Sequence, residues 1–375
     1  MKNLKILQII TLGDLFYGAQ KHVLDLSQAL TKQGHEVLIV VGSVGDFTRI
    51  LDERDVSYRH VPQIVHPIKP AKDLQAVYAL RKLIKEFQPD LVATHSAKAG
   101  IVGRIAAWLA RVPSTFTAHG WAFADGIPET QRNIALKAER FCGKLASRVI
   151  AVAEIERDFG LKHKATSPEK LVTIHYGVDD ISEGQSRRSL HDEKRIAVPI
   201  LTMVAGFREQ KDHRTLIKAI TALKHLPWSL VLLGDGPLRP EITGLVEQAG
   251  LSDRVDFKGA VDDVPSYLRQ STILVLATNW EGLPISTIEG LSIGLPVVAT
   301  NVAGTREQVI DDYNGITVPR GDALTLTAAL SKLILDPELR FSFGCNSRKL
   351  YEEKFTLDKM IERTSALYEE VVLSQ

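Results

Sequence analysis

Glu281 and Glu289 stand eight positions apart in the run Thr278-Asn-Trp-Glu-Gly-Leu-Pro-Ile-Ser-Thr-Ile-Glu-Gly. A carboxylate removed from water needs hydrogen-bond donors, which come either from the protein or from a ligand's hydroxyl groups. Upstream, Gly206-Phe-Arg208-Glu-Gln-Lys211-Asp sets two cations before a helix, an arrangement suited to a diphosphate, although two solvated cations would look the same. His95 and His119 each end an apolar run, in Thr-His95-Ser-Ala-Lys98 and Thr-Ala-His119-Gly. A histidine so placed is more often packed or hydrogen-bonded than catalytic, but both emerge where other candidate loops gather.

The surrounding elements decide where these groups point. Ser271 to Ala277 and Pro296 to Thr300 have strand length, and the interval between them suits a crossover helix, so the two glutamates sit in a βαβ unit. Pro284 fits the first helical position, which puts Glu281 and Gly282 in the loop at the carboxyl end of a strand, where open parallel sheets bind ligands. Counting from Ile285, Glu289 falls on the stripe turned toward the sheet with Ile285 and Ile288. Gly18 ends a glycine turn that enters a helix over 19–33; this is not a dinucleotide fingerprint, but a helix amino end suits phosphate or sugar oxygens. Gly234 and Phe257 close two further strands, where glycine turns alone would explain the sequence.

Strands are expected at 5–11, 36–41, 91–94, 114–118, 149–153 and 172–174, and again at 200–204, 229–233, 255–257, 272–277, 296–300 and 316–318. Helical patterns lie between many of them, the sign of parallel, doubly wound sheets. Residues 182–195 are polar and aperiodic and read as a linker.

Glu281-Gly-Leu-Pro, Glu289-Gly, Gly294-Leu-Pro-Val-Val-Ala-Thr, Gly304 and Glu307 resemble the E-x7-E region of retaining glycosyltransferases of family 4, which have the GT-B fold. The resemblance implies that Glu281 lies beside the donor sugar and Glu289 binds the ribose, with Leu283, Pro284 and Ile285 lining the donor site. It also implies that Lys211 and Arg208 hold the diphosphate, that His119 contacts the donor sugar, and that Gly18, Gly234 and the Phe257 backbone approach the nucleotide. The usual family arginine lies five before the lysine, where this chain has Gly206, so Arg208 stands in. Thr-His95-Ser-Ala-Lys98 resembles polysaccharide-assembly members, which puts His95 and Lys98 on the acceptor side. His175-Tyr-Gly177-Val-Asp is similar to the family's Asn-Gly-Val-Asp, with Tyr176 in place of the asparagine.

The 375 residues exceed what one core usually supports, and a composition of 45% hydrophobic and 24% charged residues is that of a soluble globular protein. Cys142 and Cys345 match no metal spacing and read as structural thiols of a reducing cytoplasm. The start of the chain reads as a strand rather than a signal peptide, and no apolar run reaches spanning length. Residues 1–180 hold 24 Lys and Arg against 19 Asp and Glu, or +5; the rest hold 22 against 26, or −4. That excess is too small to argue for nucleic acid, but it is compatible with an anionic lipid surface. Arg132, Lys137, Arg140, Lys144 and Arg148 share an expected helix with a buried stripe of Ile134, Phe141 and Leu145, a pattern that can rest on a membrane.

The resulting expectation is an α/β GT-B chain, two Rossmann-like doubly wound domains facing across a cleft. Residues 1–181 with a crossing helix at 356–375 form the acceptor domain, and residues 196–355 the donor domain. The expected activity is retaining transfer from a nucleotide sugar, taken as a UDP-sugar, to a glycan or polyprenyl-linked acceptor, by a metal-independent cytoplasmic monomer without a cofactor and with peripheral membrane contact. A nucleotide-sugar 2-epimerase and a non-catalytic nucleotide-sugar-binding protein are the alternatives; release of an altered donor without acceptor would mark the first.

Overall fold

The computed structural model describes residues 3–67, 69–124, 128–182 and 189–374. It divides into two compact units, Met1–Tyr176 with Lys359–Gln375, and Gly177–Asp358. The first contains β1 (Lys5–Ile10), β2 (Glu36–Val41), β3 (Tyr58–His60), β4 (Leu91–His95), β5 (Ser114–Ala118), β6 (Arg148–Ala151) and β7 (Leu171–Thr173). They form one parallel sheet in the order β3-β2-β1-β4-β5-β6-β7. The second contains β8 (Ile200–Val204), β9 (Ser229–Leu233), β10 (Val255–Gly259), β11 (Ile273–Leu276), β12 (Val297–Thr300) and β13 (Gly315–Val318), in the order β10-β9-β8-β11-β12-β13. Each sheet reverses its winding once, between β1 and β4 in one and between β8 and β11 in the other, and at such a reversal the loops beyond the strand ends diverge and leave room for a ligand.

The central strands β1, β2, β8 and β11 are largely apolar, as expected where helices cover both faces of a parallel sheet. In β1, Ile6, Leu7, Ile9 and Ile10 are all buried, so the alternation of a half-exposed strand is absent. Gln8 is the exception. Fully buried at the centre of β1, its amide donates to Ser27 Oγ at 2.9 Å and its carbonyl oxygen lies 3.0 Å from His95 Nε2.

Three local expectations change. The Asp46–Glu53 helix and β3 were not visible in the pattern: the helix is short, with only Phe47, Thr48 and Leu51 buried, and β3 is an edge strand with a half-buried Tyr58 followed by two exposed residues. Within the expected linker, 183–188 lie outside the described residues, and Leu190–Arg195 is a helix. Its Ser189 hydroxyl oxygen accepts from the Asp192 N–H, and Glu193 is buried against Arg340 at 3.0 Å, so capping and one buried ion pair replace apolar periodicity.

The basic helix runs over Glu129–Leu145, and Arg148 instead opens β6, where it pairs with Glu370. Its inward face is Glu139, Cys142 and Gly143. The Arg104 guanidinium grips Glu139 bidentately at 2.7 and 2.9 Å, and a β-carbon at Gly143 would meet the Ala165 carbonyl oxygen at 2.4 Å. The expected buried stripe is therefore turned outward, with Ile134 50% and Phe141 57% exposed. From Lys359 onward the Leu357–Leu373 helix belongs to the first unit, burying Leu367, Tyr368 and Val371. Cys142 and Cys345 are free thiols. Among the described residues no helix is long and apolar enough to cross a membrane.

Candidate active site

In the second unit the loops that follow β8 and β11 are joined by a short antiparallel ladder. The Asp212 N–H donates to the Ala277 carbonyl at 2.9 Å, the Asn279 N–H to the Gln210 carbonyl at 2.8 Å, and Lys211 bridges Thr278. Side chains reinforce the seam: Gln210 Nε2 donates to the Trp280 carbonyl at 2.8 Å and Asn279 Nδ2 to the Glu209 carbonyl at 2.9 Å.

This zipper brings the Lys211 ammonium onto Glu281 Oε1 in a charge-assisted hydrogen bond. The same oxygen accepts from Thr278 Oγ1 at 2.8 Å, while Oε2 lies 3.4 Å from Gln210 Nε2. Glu281 is buried, with 9% of its surface exposed, so its charge is met by the donors such burial demands.

Two other loops press against this pair through glycines. A β-carbon on Gly304, after β12, would fall 1.6 Å from the Gly282 carbonyl oxygen, and one on Gly234, after β9, 2.3 Å from that of Ala205. Gly234 also has φ +132°, a backbone region that side chains rarely adopt. Four strand ends thus share one backbone-packed rim. The two helix starts on it differ. Asp212 caps the His213–Thr221 helix with its own carboxylate, 3.1 Å from the Thr215 N–H. The Ile285–Ile293 helix has no side-chain cap, and Pro284, expected at its first helical position, is instead its N-cap, one residue earlier. A helix start without a side-chain cap is the kind of end that suits an anion.

The first unit has its own cluster at the ends of β1, β4 and β5. His95 Nδ1 lies 3.1 Å from His119 Nε2, and His119 Nδ1 is hydrogen-bonded to the Tyr176 hydroxyl. With the Gln8 amide donating to Ser27, one proton placement satisfies the chain: His95 Nε2–H donates to Gln8, His119 Nε2–H to His95 Nδ1, and the Tyr176 hydroxyl to His119 Nδ1. His22 packs on all three rings, with centroids 5.6, 5.2 and 5.0 Å from those of His95, His119 and Tyr176. Burial pushes the His22 imidazole down to about 4; His95 and His119 are also held well below the ordinary range, by burial first and then by their neighbouring rings. Beside them Ser96 adopts φ 70° and ψ 154°, a strained conformation for a residue with a side chain.

Two family models match the chain: Glycosyltransferase Family 4 over residues 16–181 and Glycosyl transferases group 1 over residues 186–350. The chain belongs to glycosyltransferase family 4. It is 28% identical over 98% of its length, and 97% of the relative's, to the UDP-Gal:alpha-D-GlcNAc-diphosphoundecaprenol alpha-1,3-galactosyltransferase of Escherichia coli. It is 25% identical, at 98% and 97% coverage, to the capsular polysaccharide biosynthesis glycosyltransferase CapM of Staphylococcus aureus. The crystal structure of HepE from Anabaena in complex with UDP-glucose superposes with a TM-score of 0.82 over both whole chains at 20% identity. The fold is GT-B, with two Rossmann-like domains.

In this glycosyltransferase the residues singled out from the sequence fall into three groups. Lys211, Glu281, Gly282, Leu283, Pro284, Ile285 and Gly234 share the rim in the second unit, with Arg208 exposed on the same loop as Lys211. Glu289 is only half-buried. The Ile285–Ile293 helix is covered nearly all round, and Ser286, Glu289 and Ile293 form the one stripe left partly open, so the inward orientation expected for Glu289 is not found. Phe257 packs against Phe207 with ring centroids 5.9 Å apart and planes tilted by 30°, and its carbonyl accepts from Arg239 at 3.4 Å.

The third group is in the first unit. Gly18 opens the Gly18–Lys32 helix. His95 is wholly buried with both ring nitrogens engaged, and Lys98 is buried against both Asp73 carboxylate oxygens at 2.7 Å; neither is turned outward. His119 has both ring nitrogens committed to protein partners. Sequence reasoning missed Thr278, Gln210, Gln8, His22 and the hydroxyl of Tyr176. Gln8 alone gave a signal, as the one polar residue inside an apolar strand.

Proposed function

We propose that this enzyme transfers a sugar from a UDP-sugar to a glycan or polyprenyl-linked acceptor in surface polysaccharide assembly, with retention at the anomeric carbon and without a metal ion. The observation that carries the reading is the joining of Lys211 and Glu281 on one rim at the winding reversal of the second sheet. Lys211 has ammonium protons beyond the one given to Glu281, so it can bind a diphosphate oxygen while still holding the carboxylate. Arg208 and the uncapped start of the Ile285–Ile293 helix add positive charge there. Stabilising the leaving diphosphate and holding the sugar close to its acceptor are the terms that such a transfer requires.

Glu281 is then the group beside the donor sugar, Glu289 on its half-open stripe the ribose ligand, and Gly234 and the Phe257 backbone the approach to the base. Charge neutralisation falls to Lys211 and Arg208, which is the ground for proposing metal independence. UDP as the nucleotude carrier is supported by the galactosyltransferase relative, whose donor is UDP-Gal, and by the HepE complex with UDP-glucose. The polysaccharide context is supported by the names of that relative and of CapM.

Support for peripheral membrane contact comes from the outward face of the Glu129–Leu145 helix. Ile134, Lys137, Phe141 and Lys144 recur along one exposed stripe, with two apolar side chains flanked by two ammonium groups. Arg140 keeps its charge on this exposed side, but its guanidinium is tied to the His163 carbonyl at 3.0 and 2.9 Å, which leaves Lys137 and Lys144 as the more mobile cations. Each basic residue near an anionic surface adds about 1 kcal/mol, so sedimentation with anionic vesicles at low salt should fall when Lys137 and Lys144 are changed to Glu. Binding indifferent to that reversal would remove the membrane from the account.

The reading as a whole is tested by thermal shift with UDP, GDP, ADP and their sugars, followed by proton NMR of the product's anomeric signal. UDP and a UDP-sugar should raise the midpoint, and the product should keep the donor's configuration. A selective response to GDP, or an inverted product, would overturn it.

A further inference from the structure

Glu281 does not share its two oxygens evenly. Oε1 takes the Lys211 ammonium and the Thr278 hydroxyl, at 2.8 Å for the latter, whereas among the described residues Oε2 has only the Gln210 amide at 3.4 Å. Thr278 is fully buried, and its single hydroxyl proton has three acceptors within reach: Glu281 Oε1, the Gln210 carbonyl at 3.0 Å and the Trp280 carbonyl at 3.4 Å. The carboxylate is the nearest and the only charged one, so the proton goes there. The Thr278 backbone is itself fixed, its N–H donating to Thr300 Oγ1 at 3.0 Å and its chain bridging Lys211.

We propose that Thr278 is a positioning residue for the transfer: its hydroxyl, with Lys211, locks Oε1 of Glu281 so that Oε2 is the oxygen presented to the donor sugar. The proposal rests on the reading of Glu281 as the donor-side carboxylate and adds the device that aims it. Without the Thr278 hydroxyl, Lys211 alone holds Oε1, and a single flexible ammonium leaves the carboxylate free to rotate about its own axis. When a diphosphate oxygen also engages that ammonium, the hydroxyl keeps Oε1 in place however the Lys211 protons are shared. A hydrogen bond to a charged group of this kind corresponds to about a tenfold to hundredfold effect on rate.

The test compares Thr278→Val, Thr278→Ala, Thr278→Ser and Glu281→Gln in the full chain. Release of UDP from UDP-glucose and UDP-galactose gives turnover, and calorimetry with UDP gives nucleotide affinity. Val and Ala both remove the hydroxyl, so either one that keeps wild-type UDP affinity and melting midpoint serves. The expected result is a fall of about tenfold or more in kcat with UDP affinity unchanged, restored to within about threefold by Ser. A Val or Ala variant turning over like the wild type while Glu281→Gln is impaired would overturn the positioning role and leave the reading of Glu281 standing. Wild-type turnover by Glu281→Gln would overturn both. A loss in Val and Ala that Ser does not restore would assign Thr278 to packing and also overturn the proposal.

Discussion

Lys211 and Glu281 lie 70 positions apart in the chain, yet the ammonium of one and a carboxylate oxygen of the other are in direct contact at the end of the second sheet. Neither side chain is free in solvent, with 17% and 7% of their surfaces exposed. The cation suited to a leaving group and the anion suited to a sugar are thus one electrostatic unit. A change at either must be felt by the other.

Replacing Lys211 with Ala should therefore do two things. It should weaken UDP binding by about tenfold to a hundredfold, and it should leave the Glu281 charge short of a partner at a cost of about 1–3 kcal/mol. Calorimetry and urea unfolding measure the two effects separately. Adding Glu281→Gln to Lys211→Ala should recover part of the stability, a non-additivity that two independent surface charges would not show.

Glu289 should behave differently because it is half-buried on the open stripe of its helix. Glu289→Ala is expected to lower UDP affinity by roughly tenfold and lower the unfolding free energy by less than ~1 kcal/mol. A large stability loss without a binding loss would make Glu289 a structural residue.

The Gly304 contact predicts a long-range effect on turnover. With a β-carbon 1.6 Å from the Gly282 carbonyl oxygen, Gly304→Ala must displace the loop that carries Glu281. Turnover should drop by at least about tenfold, whereas binding of UDP alone should change less, since Lys211 lies on the other side of the seam. Equal losses in both would mean that the whole rim has moved.

The two units should differ in acid stability. His22, His95 and His119 in the first unit are all depressed by burial; in the second, burial lowers His213 to about 4. An unfolded chain protonates these rings near the ordinary value of 6.5, whereas the folded chain resists until the pH is well below it. The stabilisation is therefore complete above pH 6.5 and is lost progressively below it, over a window that reaches about 4 for His22 and His213, with a slope of about 1.4 kcal/mol per pH unit for each ring and about 4 kcal/mol per pH unit for three. Hydrogen exchange between roughly pH 7 and 5 should show the first unit losing protection more steeply than the second, and His22→Gln should make that slope shallower.

Much of this was legible in the sequence, for physical reasons that also set the limit. Buried parallel strands are runs of Val, Ile and Leu, so β2, β8 and β9 stand where apolar residues cluster between turns. The Lys211 loop and Glu281 were legible because glycine, proline and charge crowd into short segments at strand ends. What could not be read was pairing. Nothing in Thr278 marks its hydroxyl as a donor to Glu281, and nothing in Tyr176 marks its hydroxyl as a donor to His119, because each partner arrives from another strand. The same limit explains the basic helix: helical periodicity put Phe141 inside, but the buried Arg104–Glu139 pair and the close approach of Gly143 to Ala165 chose another face.

The central claim is that the joined Lys211 and Glu281 form the transfer site of a UDP-sugar glycosyltransferase. The most direct measurement is release of UDP from UDP-galactose and UDP-glucose by wild type and by Glu281→Gln, with UDP affinity determined on the same samples. The account predicts turnover by the wild type with one of the two donors, a loss of about a hundredfold or more in the variant, and UDP affinity within about threefold between them. Equal turnover by the variant, or a parallel collapse of UDP affinity, would contradict it.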